Sequence, residues 1–412
     1  MQFSSALKVE PRCSHVPSCG GCVLQEMDYN EQLKIKQQNI EETFAGFLNL
    51  DEVIVHPIIP CESPWEYRNK MEFSFSQDKS GNRFLGLILK GSKGKVFNLM
   101  ECHLTAPWFA KVVESVRTWW EESGLHAYRR YTDQGSLRTL TIREGKRTGD
   151  KMVFLTVSGN PAFSLNKRHL DTFLTALKKT LPDTASLSVF LRIQQIARKM
   201  PTQFYEMHLS GPAHIQEQLW IDHGNKRTLL TFKISPTSFF QPNTHQAEVL
   251  YSKALQMVGS CSNRVVFDLY CGIGTLSMAM ALQAKQVFGI EINPHAVFDA
   301  ENNKLINGIS NVDVLCGDVG QMLQQLSNQK KIASPDLVMV DPPRSGLDPL
   351  ALNHILSLRP RKILYISCNP QTQVKDIQEL HQAGYQLIAL QPVDQFPHTL
   401  HIENIALLRQ EN

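Results

Sequence analysis

The chain has 412 residues, is 42% hydrophobic, and carries 42 Lys+Arg against 39 Asp+Glu for a net charge of +3. It is therefore apolar enough to bury full cores, which excludes a disordered or collagen-like chain, and no run of about 18 apolar residues offers a membrane span. Met1-Gln2-Phe3-Ser4-Ser5 lacks the basic and apolar regions of a secretion signal, so a cytoplasmic, soluble, monomeric protein of two or three domains is expected.

The first feature along the chain is a set of thiols. Nine cysteines cannot all pair, and three fall at Cys13-x5-Cys19-x2-Cys22, where Gly20 and Gly21 let the backbone turn sharply enough for thiolates to converge. Three thiolates need a fourth ligand, and Cys102, at a strand-to-turn boundary, is the best candidate. Four cysteines suit tetrahedral zinc or an iron–sulfur cluster. A compact triplet with one remote cysteine favours a 4Fe–4S cluster over paired zinc knuckles, with inert buried thiols as the plain alternative. A helix follows from Asp28 to about Phe47, its apolar positions Leu33, Ile40, Phe44 and Phe47 recurring with a helical period.

From about residue 53 to 240 the pattern turns mostly to strands. Met71–Ser76 alternates with period two, and Ser80-Gly81-Asn82 signals a hairpin turn. Residues 84–89, 137–142, 152–157, 187–193 and 229–234 also read as strands, with helices near 107–122 and 163–179. After about residue 245 short strands (265–270, 286–291, 312–316, 336–341 and 362–367) alternate with helices, which predicts an α/β, doubly wound parallel sheet. Three regions result: 1–50, cysteine-rich and completed by Cys102; 51–240, α+β; and 241–412, doubly wound.

In such a sheet, ligands bind beyond the carboxyl ends of the strands. Asp268-Leu269-Tyr270-Cys271-Gly272-Ile273-Gly274-Thr275 is a tight turn that lets a ligand approach the backbone. Glu291 ends the next strand, where an acid can bond both ribose hydroxyls, and Cys316-Gly317-Asp318 places another near an adenine amino group. With no phosphate-binding loop beside them, these acids suit a cofactor holding adenosine without phosphates, S-adenosylmethionine. Either acid alone could be a helix cap.

Asp341-Pro342-Pro343-Arg344 forms a rigid ledge, because two prolines cannot extend a ladder. Arg344 stands where amino-group methyltransferases carry a stacking aromatic, which argues against exocyclic-amine chemistry. Ser367-Cys368-Asn369-Pro370 puts a thiol at a strand end just before a helix, whose dipole stabilises a thiolate, so Cys368 is a nucleophile candidate. A small residue packed at a strand end is the plain alternative. Glu403 enters an apolar strand, where desolvation raises a carboxyl toward a useful general base. His398 and His401 are alternative bases, read in preference as structural hydrogen-bonders.

Taken together, these residues resemble the S-adenosylmethionine-dependent RNA uracil-5-methyltransferase family, which makes 5-methyluridine in tRNA and large-subunit rRNA. The likeness runs through Cys13/Cys19/Cys22…Cys102, Tyr67-Arg68-Asn69-Lys70, Phe239-Phe240-Gln241-Pro242-Asn243, the Asp268 loop, Asp341-Pro342-Pro343-Arg344, Ser367-Cys368-Asn369-Pro370 and Phe396-Pro397-His398-Thr399…Glu403. It implies a 4Fe–4S segment, a central domain that helps hold RNA, and a C-terminal class I methyltransferase domain. By motif, Gln241, Tyr270, Glu291, Asp318 and Asp341 contact the methyl donor, Asp341 also touches the uracil, Cys368 is the nucleophile and Glu403 the base. The expected partner is a single-stranded RNA loop, ribosomal in preference to tRNA. Arg68, Lys70, Arg129, Arg130 and Arg138, with Tyr128 and Tyr131 among them, could supply phosphate and stacking contacts. The rival readings are an RNA cytosine-5-methyltransferase and a non-catalytic RNA-binding or folding factor.

Overall fold

The structure is a computed structural model that describes residues 7–47, 49, 52–181, 186–196, 202–329 and 335–411. In chain order, α1 (Tyr29–Ala45), β1 (Ile54–Val55), β2 (Lys70–Gln77), β3 (Arg83–Gly86), α2 (Trp108–Ser123), β4 (Leu137–Glu144), β5 (Lys151–Ser158), α3 (Lys167–Thr180), β6 (Leu187–Gln195), β7 (Gln203–Ser210), β8 (Ile215–His223) and β9 (Lys226–Ile234) come first. They are followed by α4 (Thr244–Val258), β10 (Cys261–Leu269), α5 (Thr275–Ala281), β11 (Ala284–Glu291), α6 (Pro294–Ile306), β12 (Val312–Cys316), α7 (Val319–Gln329), β13 (Leu337–Val340), α8 (Pro349–Leu358), β14 (Lys362–Ser367), α9 (Pro370–Gln382), β15 (Tyr385–Val393) and β16 (Glu403–Gln410). Among the described residues no helix is long and apolar enough to cross a membrane.

The elements fall into two compact units that do not follow chain order. One takes Lys8–Glu26 and Ser63–Glu217; the other takes Met1–Leu7, Met27–Glu62 and Gln218–Asn412. Helix α1, grouped by sequence with the cysteines, thus belongs with the doubly wound region, and so does the stretch before residue 241. The reasons are local bonds: Lys36 of α1 pairs with Asp394, while β9 gives the amides of Thr231 and Lys233 to Asn307 and Asn303 of α6.

The cysteine-bearing unit is built on a sheet of order β3-β2-β4-β5-β6-β7. The alternation read in β2 buries Phe73 and Phe75, which join Leu140, Ile142, Val153 and Leu155 under α2 and α3. The run expected to 89 stops as a strand at Gly86, where the carbonyl oxygen of Phe97 would lie 2.2 Å from any Cβ. Leu87 and Leu89 bond instead to Phe97 and Lys95. Strands β7 and β8 went unread; β7 is an edge strand that leaves Phe204, Tyr205 and Met207 about half exposed, so no clean alternation marks it.

The second unit holds a sheet of order β1-β15-β16-β14-β13-β10-β11-β12. From β12 to β14 the strands are parallel, as the doubly wound reading expects. β16 departs from that reading, because it runs antiparallel between β14 and β15. Phe267, Leu269, Ile290, Val338, Val340, Ile363 and Tyr365 fill the core, joined by Ile40 and Phe44 of α1.

Candidate active site and a thiol-lined cavity

The five parallel strands end on one edge of the sheet, and each delivers a residue singled out from sequence. Tyr270 follows β10, Glu291 ends β11, Asp318 lies just past β12, Asp341 follows β13 and Cys368 follows β14. Because β16 is antiparallel, its first residue, Glu403, arrives at the same edge. Ser367 pairs with Asn404, so Cys368 and Glu403 emerge from adjacent strands.

Cys368 is half-buried, and its surroundings oppose one another. Burial raises its thiol pKa, and Glu403 and Asp341 add to the rise; a hydrogen bond and the charge of Arg344 pull it down. Asn369 ties these groups together. Its Oδ1 accepts the Gln371 amide as N-cap of α9, while its Nδ2 donates to the Arg344 carbonyl at 2.8 Å. Thr372 Oγ1 donates to that carbonyl as well, at 3.2 Å. The guanidinium and the helix N-terminus both favour the thiolate.

Glu403 is 3% exposed, and its Oε2 has no hydrogen-bond partner. Burial holds its carboxyl well above the usual range, Asp341 adds to the effect, and Arg344 opposes it. Burial also pushes Asp341 up to about 7. Sequence reading missed Tyr251, on α4 and remote from every motif. Its buried phenol bonds Gln241 and is raised by burial and by Asp341 and Glu403.

Gly272 has φ +56°, and a Cβ there would meet nothing within 4 Å. Glu291 Oε2 accepts the Gly272 amide at 3.0 Å and Oε1 the Asn293 amide at 2.8 Å. Asp318 Oδ1 accepts the Gln321 amide at 3.0 Å, so the helix-cap role weighed from sequence is real alongside any ligand role. Tyr270, itself at φ +67°, donates its hydroxyl to Asp348 at 3.0 Å. Buried Asp268 accepts Ser277 Oγ and is pushed up to about 7, chiefly by burial. Gln241 is held through its loop, whose Ser235 and Ser238 hydroxyls both donate to buried Asp299. A rim of carboxylates with an open glycine turn repels phosphate and suits a cationic, hydroxyl-bearing ligand. S-adenosylmethionine fits that chemistry.

In the other unit Cys13, Cys19, Cys22 and Cys102 all line one cavity of about 540 Å³. The residues flanking Cys13 and Cys102 are tied together, as Glu101 accepts the Ser14 amide at 2.6 Å and the Met100 amide donates to His15 Nε2 at 3.0 Å. Burial and then the neighbouring cysteines push the Cys22 thiol up to about 12. Burial likewise raises Cys13 and Cys102. Among the described residues no three His, Cys, Asp or Glu side chains stand grouped as a metal-binding set. Four thiols lining one cavity are a donor set whose chemistry suits a metal centre, because neighbouring thiols lose protons readily only where a cation offsets the charge.

The basic residues read as RNA contacts divide. Arg129, Arg130 and Tyr131 are exposed, and Arg138 lies over the Tyr128 ring at 3.9 Å. Lys70 is instead largely enclosed, pushed down to about 8 by burial and then by Arg143 and Arg192.

Residues 154–411 match the tRNA (uracil-5-)-methyltransferase family. A protein of Protochlamydia amoebophila named as an uncharacterized RNA methyltransferase is 51% identical over 405 residues, 97% of this chain and 91% of that one. A protein of the same name from Chlamydia trachomatis is 36% identical, covering 97% of this chain and 98% of its own. Among solved structures, the Pyrococcus abyssi tRNA (uracil-54, C5)-methyltransferase in complex with S-adenosyl-L-homocysteine aligns with a TM-score of 0.69 at 24% identity, over 95% of this chain and 86% of that one. The likeness bears out the fold class expected from sequence.

Proposed function

The chain belongs to the tRNA (uracil-5-)-methyltransferase family, and from that premise we propose that it methylates carbon 5 of a uridine in a single-stranded RNA loop. The observation that carries the reading is the arrival of Cys368 and Glu403 on adjacent strand ends, with Arg344 acting on both. A thiol and a buried base side by side are what substitution at a poorly nucleophilic ring carbon requires.

Uracil C5 attacks nothing unaided. The Cys368 thiolate adds its electron pair to C6, and the C5–C6 π electrons shift toward C5 and O4. S-adenosylmethionine, when bound, would supply an electrophilic methyl group on a sulfonium, whose methyl–sulfur bond breaks to leave a neutral thioether. Once the C5–methyl bond has formed, Glu403 takes the C5 proton, the C5–C6 double bond returns, and the C6–S bond breaks to release the thiolate. Arg344 stabilises the thiolate before addition and after elimination. Gln241, Tyr270, Glu291, Asp318 and Asp341 would hold the donor, with Asp341 also touching the base. The base must leave its stack to reach the thiol, which costs least in a loop.

In the other unit Cys13, Cys19, Cys22 and Cys102 would hold a 4Fe–4S cluster, a reading supported by the one cavity they share. Iron and sulfide in protein purified without air support it; stoichiometric zinc overturns it. Exposed Arg129, Arg130 and Tyr131 are candidate RNA contacts of the same unit.

The test of the reaction is trapping. Protein, methyl donor and cellular RNA containing 5-fluorouridine should yield a covalent RNA–protein adduct, because fluorine at C5 cannot leave as a proton. The adduct should vanish in Cys368→Ala, and sequencing it identifies the RNA, ribosomal by expectation. No adduct from folded protein, or methylation of cytosine alone, refutes the reading.

A further inference from the structure

Helix α1 buries the wrong kind of residue for a helix that only packs. Its apolar period marks Leu33, Ile40, Phe44 and Phe47, yet the buried stripe is Gln32, Lys36, Ile40, Thr43 and Phe44, and Phe47 is 45% exposed. Ile40 and Phe44 enter the core. The polar end of the stripe meets the loop between β15 and β16.

There Lys36 Nζ bonds Asp394 Oδ1 at 2.5 Å, with the two side chains 2% and 0% exposed. The same ammonium donates to the Phe396 carbonyl at 3.0 Å, and Tyr29 donates its hydroxyl to Asp394 Oδ2 at 2.8 Å. Gln32 Oε1 accepts the His398 amide at 2.9 Å, at a residue held in the left-handed region with φ +65°. Three residues of one helix therefore hold Asp394, Phe396 and His398. The loop is also bonded to the 241–243 segment. Asn243 donates to the Gln395 carbonyl at 3.2 Å, and Gln395 Nε2 donates to Gln241 Oε1 at 3.3 Å.

A buried ion pair is a weak source of stability, because desolvation offsets much of the attraction; its better-attested use is to select one geometry. What this one selects is a loop that joins two parts of the candidate active site. It runs directly into Glu403, and through Gln395 it touches Gln241. We propose that Lys36, Gln32 and Tyr29 are positioning residues that clamp the 394–399 loop, setting Glu403 against Cys368 so that proton removal follows methyl transfer. The inference rests on the uridine-methylation reading. Its signature is a defect late in the cycle: thiolate addition needs Cys368 and Arg344, which the clamp does not touch, whereas release needs Glu403.

Single-turnover reactions on ordinary uridine and on 5-fluorouridine RNA separate the two stages. Lys36→Met with Asp394→Leu replaces the pair by apolar side chains of similar size, and Gln32→Leu loosens the loop while leaving the pair intact, so it carries the test if the double variant does not fold. For the folded variants the 5-fluorouridine adduct should form within about threefold of the wild-type rate. Methylated product from ordinary uridine should fall at least tenfold while its covalent adduct accumulates, and Lys36→Arg should recover part of the loss. Adduct and product falling together, or neither changing, overturns the clamp. Failure of the wild-type protein itself to trap 5-fluorouridine overturns the uridine reading, and the clamp with it.

Discussion

Arg344→Gln removes the side chain that lowers the Cys368 pKa against burial and two carboxyls. The substitution leaves the ledge in place, since Asn369 and Thr372 bond the Arg344 carbonyl and not its side chain. A hydrogen bond to a charged group contributes about 1.5–3 kcal/mol, and each 1.36 kcal/mol is tenfold in an ionisation equilibrium, so losing this one should raise the thiol's pKa. Below its pKa the thiolate fraction then drops about 10- to 100-fold. Glu403 moves the same way, because Arg344 lowers its pKa too. Both groups act deprotonated, so the rate should fall at neutral pH and recover in alkali. The assay is the pH dependence of 5-fluorouridine adduct formation and of Cys368 alkylation. An upward shift of the inflection with an intact alkaline plateau is expected. A uniform loss at every pH would refute the reasoning and place Arg344 on the RNA instead.

Three more outcomes follow from the same geometry. Glu403→Gln should form the adduct with ordinary uridine but release it at least about 100-fold more slowly, at the low end of what acid–base catalysis contributes, as seen by denaturing gel electrophoresis; rapid release would remove Glu403 as base. Asp341 has a folded-state pKa of about 7 against an ordinary 3.8, so its contribution to stability is present in acid and lost as pH rises through about 7. Asp341→Asn should therefore raise the melting temperature at alkaline pH by roughly 2–4 °C while abolishing turnover, and calorimetry at acid and alkaline pH shows whether the gain disappears in acid. Iron carried by protein purified without air should be lost in Cys102→Ala while the far-ultraviolet circular dichroism of the α/β unit stays unchanged; full iron retention would exclude Cys102 as a ligand.

The sequence by itself determined the local grammar of this protein. Alternating strands and helices after residue 260 are a matter of spacing over a few residues, and the doubly wound sheet places whatever follows each strand at one edge. Tyr270, Glu291, Asp318, Asp341 and Cys368 were legible for that reason, as was the cysteine triplet.

Tertiary structure alone decided the rest. Glu403 reaches Cys368 only because β16 inserts antiparallel beside β14, and strand direction leaves no mark on side-chain period. Tyr251 looks like any apolar-face tyrosine until α4 sets it beside Asp341 and Glu403. The apolar period of α1 marks Ile40 and Phe44 but not Lys36, which is buried by virtue of Asp394, 358 positions away. Burial of a charge depends on its partner, and a partner that distant is supplied by the fold, not by the neighbouring sequence.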